Sequence, residues 1–234
     1  MGFHRGPKIV TDGLVLYVDA ANPKSYISGS TTTRSLVGSV TGSLVNGVGF
    51  STGSNGSWVF DGSNDWIDLG LEGANLIQGK TELTMGLFFQ SNTNLVLRSL
   101  FGTLRYGCGR NLGLVSSFNN LVFYNDYGPP ETGTCYPIGF NNYVVPNTWI
   151  YAVATYDGTT TKLYGIKQGI LSQSTGTGFK SGSTNVFSYN LEIGRGGFGG
   201  YLSGNVANAF IYNRVLSQQE VLQNYNATKS RFGL

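Results

Sequence analysis

The sequence predicts an all-β protein, a sandwich or jelly roll of antiparallel strands, on three observations. Glycine is abundant, with 35 residues in a chain of 234, where average usage of about 7% gives roughly 16. Charged residues make up only 12% while apolar residues hold at 40%, so the chain carries enough apolar surface to fold rather than stay disordered. Short runs of alternating apolar and polar residues recur, broken by Gly, Asn, Ser and Asp, as expected of strands joined by tight turns.

The strands read in order along the chain. GLVLYVDA, SWVFDG and DWIDLG come first. In TELTMGLFF, residues Leu83, Met85, Leu87 and Phe89 share one face of a strand, because side chains alternate with period two. LVLRSLFG, LGLVSSF and NLVFYN follow, and in WIYAVATY the residues Ile150, Ala152 and Ala154 alternate with Tyr151, Val153 and Thr155. TKLYGIKQG, VFSYNLEIG and NVANAFIYN complete the set. One helix is predicted, from VLSQQEVLQNY. Ser217 stands as its cap with Glu220 placed to close a capping box, and Leu216 and Val221 occupy the two positions of a hydrophobic staple. Val221, Leu222 and Tyr225 form its apolar stripe.

With no internal repeat and no linker, the expected organisation is an N-terminal arm over residues 1–12 and a single domain over 13–234. The stretch from Asp126 to Thr148 has no clear periodicity and holds Pro129, Pro130, Pro137 and Pro146. A loop of that length inside a compact domain is usually functional or disordered, and its aromatics Tyr127, Tyr136, Phe140 and Tyr143 argue against disorder.

Several function classes are excluded at this level. A formal charge of +3 from scattered Lys and Arg gives no basic stripe for nucleic acid. No apolar run is long enough to span a bilayer, so no membrane partner is expected. The start, MGFHRGPKIVTDG, lacks the apolar core of a secretion signal, which implies synthesis into a cytosol. His4 is the one histidine, so Ser–His and Cys–His nucleophiles and histidine-rich metal sites are not expected. Cys108 and Cys135 either pair or remain free thiols. Glycosidic hydrolysis needs two carboxyls about 5–10 Å apart, whereas Asp65 and Asp68 are three apart and point to opposite faces of a strand. The protein is expected not to be an enzyme.

Three places are candidate sites. IGRGGFGG places Gly194, Gly196 and Gly199 in the G-x-G-x-x-G spacing of a dinucleotide-binding turn. That turn needs a helix after it and an acidic residue about 20 positions on. Here YLSGNVANAFIYN alternates as a strand, and the next acid after Glu192 is Glu220, so the glycines read as a turn between strands, with Arg195 at its tip either as a contact for a ligand or partner or as a solvated turn residue. FDGSND offers Asp61, Asn64 and Asp65 as oxygen donors. These are the ligand type of calcium, which wants 6–8 oxygens where the sequence shows only a few, and they better suit an ordinary turn in which the side chains bond local backbone. Calcium is the one cofactor in view. The loop tyrosines Tyr127, Tyr136 and Tyr143 either stack on sugar rings or anchor a partner, or they plug the open end of the sandwich.

A family resemblance rests on FDGSNDWIDLG, LTMGLFFQ, NTWIYAVATYDGTTTKLYGIKQG and LEIGRGGFGGYLSGNVANAFIYNRVLSQQEV, in that order. Together they resemble the laminin G-like, concanavalin A-like jelly roll. The most specific residues are Gly204 with Val206, then Ile211, Tyr212, Asn213, Arg214, Leu216 and Ser217, and the stretch from Trp149 to Gly158. GLVLYVDAANPKSY and LQNYNATKSRFGL resemble virion proteins of tailed bacteriophages. The resemblance implies two antiparallel sheets with one short C-terminal helix. It also implies a non-enzymatic structural protein on the surface of a virion assembled in the host cytoplasm, as a capsid decoration or tail component with weak glycan adhesion. Its partners would be other virion proteins, host-surface glycans and further copies of itself. The alternative is a host-recognition lectin. Ala207 and Asn208 stand where family members often carry acidic residues, which weakens an inherited calcium site.

Overall fold

A computed structural model describes residues 7–53, 56–94, 98–103, 112–125, 137–177, 184, 189–196 and 200–234. In chain order the first strands are β1 (Leu14–Asp19), β2 (Thr32–Arg34), β3 (Thr41–Val45), β4 (Gly49–Ser51), β5 (Ser57–Asp61) and β6 (Trp66–Asp68). A single helical turn, α1 (Gly70–Ala74), precedes β7 (Leu83–Ser91), β8 (Arg98–Gly102), β9 (Leu112–Ser117), β10 (Asn120–Asn125) and β11 (Pro137–Phe140). Then come β12 (Trp149–Tyr156), β13 (Thr160–Lys167), β14 (Ile170–Thr177) and β15 (Glu192–Ile193). β16 (Arg195–Gly196), β17 (Gly200–Tyr201), β18 (Ser203–Tyr212) and helix α2 (Gln218–Thr228) follow, and a 3-10 turn over Lys229–Phe232 ends the order. No helix among the described residues is long and apolar enough to cross a membrane.

The strands form the expected two antiparallel sheets. The first runs β14-β13-β12-β7-β18-β5-β4, with β1 paired to the far half of β18, and the second runs β11-β10-β9-β8-β15-β6-β3-β2. β7 is central, in register with β12 from Leu83↔Tyr156 to Gln90↔Trp149. Leu83, Met85, Leu87 and Phe89 turn inward together with Ile150, Ala152 and Ala154, into one core shared with Phe101, Leu114, Leu121 and Ile193 of the second sheet. The sequence alternation therefore placed this face correctly.

The opposite face of the first sheet is buried as well. Phe88, Tyr151, Val153, Phe210 and Tyr212 join a second cluster beneath Leu216, Val221 and Tyr225. A sheet covered on both sides has little room for charge, which accounts for the low charged content. Ser217 and Glu220 close the capping box at the start of α2, each accepting an N–H from the other's backbone. Arg214 grips the Glu220 carboxylate, at 2.6 Å from Nη2, and pairs with Asp12 at 2.9 Å. The Arg214 bond, aided by the Ser217 N–H, holds the Glu220 pKa down at about 2.

Both chain ends are tied to this layer. Asn224 accepts the Val10 N–H at 2.7 Å and donates to the Tyr212 hydroxyl at 2.9 Å, while that hydroxyl donates to the Val10 carbonyl at 2.8 Å. At the other end Phe232 stacks on Phe88 with ring centroids 4.2 Å apart, and lies 4.4 Å from Trp149. Arg231 binds both oxygens of Asp19, at 2.9 and 3.0 Å, and donates to the Gly56 carbonyl. Arg231 and Phe232 of the C-terminal KSRFGL are thus engaged by the protein's own first sheet.

Candidate functional site

Two connections cross between the sheets at one end of the sandwich and place the candidate site. Residues 62–65 lead from β5 in the first sheet to β6 in the second, and residues 194–202 return from β15 to β18. They lie side by side, since Ser203 pairs with Asp61 and Ile193 pairs with Ile67. Ile67, Leu69 and Ile193 point into the core, so alternation turns Trp66, Asp68 and Glu192 onto the outer face of the second sheet.

Gly194 is where the chain leaves β15. Its φ of +84° suits glycine, and a Cβ there would stand 2.7 Å from the Phe60 ring. Its N–H bonds the Leu100 carbonyl at 3.1 Å and its carbonyl accepts from Leu202 at 2.9 Å. β16 and β17 then pair Arg195 with Tyr201 and Gly196 with Gly200, as a turn between strands requires; residues 197–199 lie outside the described set.

Arg195 is folded back onto β15 and β6. Its guanidinium carbon lies 4.2 Å from the centre of the Trp66 ring, a cation–π contact. Its Nη1 bonds the Glu192 carboxylate at 3.1 Å, and the Glu192 side chain is 2% exposed against 37% for Arg195. Tyr201 stands beside Trp66, ring centroids 6.1 Å apart and tilted by 37°. A buried carboxylate thus fixes a half-exposed guanidinium against an indole, with a second aromatic alongside. Such a surface offers ring faces for stacking and fixed N–H donors for hydroxyl or carboxylate oxygens.

Asp68 and Glu192 are direct cross-strand neighbours, a juxtaposition that a separation of more than a hundred residues hides from sequence reading. Asp68 accepts the Gly70 N–H at 2.8 Å and the Asn190 amide at 3.0 Å.

The loop carrying Asp61, Asn64 and Asp65 spends its oxygens locally. Asp61 accepts the Ser63 N–H at 2.7 Å, and both Asp65 oxygens accept the Asp61 N–H, at 3.0 and 3.1 Å. The Asn64 carbonyl accepts from the Asn46 amide. Among the described residues no group of three His, Cys, Asp or Glu side chains is placed to hold a metal. The bond from Ser63 holds the Asp61 pKa down. Burial pushes Asp65 up to about 6, the Asp61 N–H pulls it back and the Asp61 charge adds to the rise. Because the folded value lies above the ordinary 3.8, the contribution to stability is complete below that value and is lost as pH rises through about 6. Asp65→Asn is expected to flatten the stability profile across that window, in chemical melts read at closely spaced pH values, and EDTA is expected to leave the wild-type profile unchanged.

Tyr143 sits in the sandwich, 8% exposed. Its ring crosses Gly165, where a Cβ would stand 2.7 Å from it, and packs 4.9 Å from Phe140. Lys167 covers it from outside, with Nζ 2.9 Å from the Tyr143 carbonyl and 4.6 Å from the ring centre. Tyr143 thus packs between Gly165 of β13 and Phe140 of β11, the packing that a plug of the sandwich end would make. Tyr127, Tyr136, Cys108 and Cys135 lie outside the described residues. Part of the stretch expected to lack periodicity is the edge strand β11, where proline is tolerated. The residues missed were Trp66, Tyr201 and Glu192. Their one sequence signal was a tryptophan flanked by acids in NDWIDLG.

The two antiparallel sheets form a concanavalin A-like sandwich. Residues 61–222 match the model of the concanavalin A-like lectin/glucanases superfamily, and the chain belongs to it. No curated protein sequence matches the chain significantly. Among solved structures, Trypanosoma rangeli sialidase in complex with the inhibitor DANA aligns with a TM-score of 0.63 at 16% identity, over 93% of this chain and 33% of the sialidase. The chain therefore spans about a third of that enzyme. Domain 4 of AbnA, a GH43 extracellular arabinanase from Geobacillus stearothermophilus in complex with arabinotriose, aligns at 0.56 and 12% identity, covering 89% of this chain and 96% of the domain. The binding domain of botulinum neurotoxin DC in complex with SialylT aligns at 0.64 and 12% identity, covering 94% and 52%. At these identities the likeness is one of fold.

Proposed function

We propose that the protein is a non-enzymatic surface protein of a bacteriophage virion, a capsid decoration or tail component, that adheres to host glycans through Trp66, Tyr201 and Arg195. The observation that carries the binding role is the guanidinium clamped between the Trp66 ring and the buried Glu192 carboxylate, beside Tyr201. Sugars present C–H faces that stack on such rings and hydroxyls that accept from a fixed guanidinium. Support from solved structures is that the neurotoxin domain and the arabinanase domain were both solved in complex with carbohydrate. The virion role draws its support from the likeness of the two terminal stretches to phage virion proteins.

Binding without turnover fits the state of the acids. Glu192 is committed to Arg195, and Asp68 to Gly70 and Asn190, whereas hydrolysis needs one acid free to protonate the leaving group and a second free on the other side of the bond. The loop at Asp61 acts as a turn and takes no calcium in this reading.

A glycan array tests the assignment. Wild-type protein is expected to bind a defined set of glycans, and Trp66→Ala and Tyr201→Ala to lose that set while melting near the wild-type temperature. Failure to bind any glycan, or binding indifferent to both substitutions, would overturn the site. Cleavage of a bound polysaccharide that Asp68→Asn abolishes would overturn the non-enzymatic reading.

A further inference from the structure

A groove lies between the loop that leads into β2 and the crossing from β3 to β4. It encloses about 360 Å3, near the small end of the roughly 300–1,000 Å3 of small-ligand sites. Tyr26, Ser28 and Thr31 line it from the loop, and Leu44, Val48 and Phe50 from the crossing. Val45 pairs with Trp66, and alternation turns its neighbour Leu44 to the other side of the sheet. The groove is therefore separate from the Trp66 cluster.

Its walls are fixed from behind. Ser25 Oγ donates to the Arg34 carbonyl at 2.6 Å, and Thr33 Oγ1 donates to the Ser25 carbonyl at 3.1 Å, which pins the base of the loop. Gly29 turns the chain at a φ of +87°, and the Thr31 carbonyl accepts the Leu44 N–H at 2.7 Å, which ties the loop to β3. The Tyr26 ring packs 5.4 Å from Phe50 and edge-on to the buried Trp58 at 5.8 Å. Tyr26 is only 5% exposed, yet its hydroxyl bonds no described residue. A buried phenol usually finds a partner, and here the groove is where one can enter. Ser28 and Thr31 are exposed, and their hydroxyls bond no described residue either.

We propose that this groove binds one neutral sugar ring, with the hydroxyls of Tyr26, Ser28 and Thr31 as its hydrogen-bond partners and Phe50 against its C–H face. Charge decides the class of ligand. Residues 25–33 and 35–60 contain no Asp, Glu, Lys or Arg, so an ionised ligand would give up hydration without meeting a counter-charge. Side-chain hydroxyls both donate and accept, as sugar hydroxyls do, and Phe50, Leu44 and Val48 supply the apolar surface that the ring's C–H groups need. A single ring in an open groove binds weakly, with a Kd of about 1 mM, too weak to hold the protein on a glycan array. Its contribution to adhesion comes when many such sugars stand on one surface.

Backbone amide NMR of the full chain, titrated with glucose, galactose and mannose, tests this. At least one sugar is expected to give saturable shifts at Gly29, Thr31 and Gly47, in the wild type and equally in Trp66→Ala. Tyr26→Phe and Thr31→Val, which keep the shape of the groove, are each expected to weaken that binding about 2–10-fold, the loss of one neutral hydrogen bond. The uronic acid of the bound sugar, the same ring with a charge, is expected to bind far more weakly. Absence of saturable shifts from all three sugars would overturn the proposal. So would binding that both hydroxyl variants leave unchanged, or a uronic acid that binds as well as its neutral parent. None of these results bears on the Trp66 cluster, which the array tests separately.

Discussion

Phe232→Ala is expected to cost about 3 kcal/mol of unfolding free energy, the lower range for truncating a packed aromatic. Two residues follow Phe232 in the sequence. Here its ring stacks on Phe88 at an interplanar angle of 15° and leans on Trp149. Removing it uncovers Phe88, which is otherwise fully buried at the centre of the first sheet. The neighbouring Arg231 sits close to Asp19 and Gly56, so the lost ring also loosens a partly buried ion pair. Denaturant melts followed by tryptophan emission measure the effect directly, because Trp149 loses its neighbour. A change below about 0.5 kcal/mol, the usual range for surface positions, would mean that the C-terminal segment does not seal this face in solution.

Gly194→Ala is expected to cost a further class of energy, about 2–4 kcal/mol, from backbone strain at positive φ together with overpacking. The added methyl would meet the Phe60 ring at 2.7 Å, and Phe60 is 1% exposed with no free space to retreat into. The turn must then shift, carrying Arg195 off Trp66. Stability and glycan binding are therefore expected to fall together in this variant, whereas Trp66→Ala affects binding alone. Thermal melts and array binding, measured on the same preparations, separate the two outcomes. A Gly194→Ala protein with unchanged melting temperature would contradict the packing described for this crossing.

How much of this was legible in the sequence follows from what each signal depends on. Local periodicity identified β7 and β12 together with the faces they turn inward, because alternation is a property of the strand itself. The cap of α2 was readable for the same reason, since Ser217 and Glu220 are three residues apart. β2, β3, β4 and β14 were missed because short or edge strands carry Ser, Thr and Gly in place of an apolar face. The stripe of α2 was read as Val221, Leu222 and Tyr225; Val221 and Tyr225 are buried, but Leu222 is only half-buried and Asn224 is buried with them. A polar residue enters the core there because it meets Val10 and Tyr212, partners more than 200 and 12 residues away.

The candidate site was legible only in part. Arg195 was singled out from its turn, but as the tip of a loop facing solvent. Its neighbours Trp66, Glu192 and Tyr201 come from three segments that only the sheet register brings together. Tyr143 drew notice as an aromatic in an irregular stretch, and the gap that it fills between β11 and β13 has no sequence signature. The glycines of IGRGGFGG were informative once the strand after them was recognised. They mark the crossing from one sheet to the other, and that crossing carries the site.

The most direct measurement is to locate the protein on intact virions by electron microscopy, with an antibody fragment raised against the folded domain. The account predicts regular labelling on the exterior of the capsid or tail of undamaged particles, reduced when a bound glycan covers the Trp66 face. Absence of the protein from purified virions, or labelling only after the particles are broken open, would contradict it.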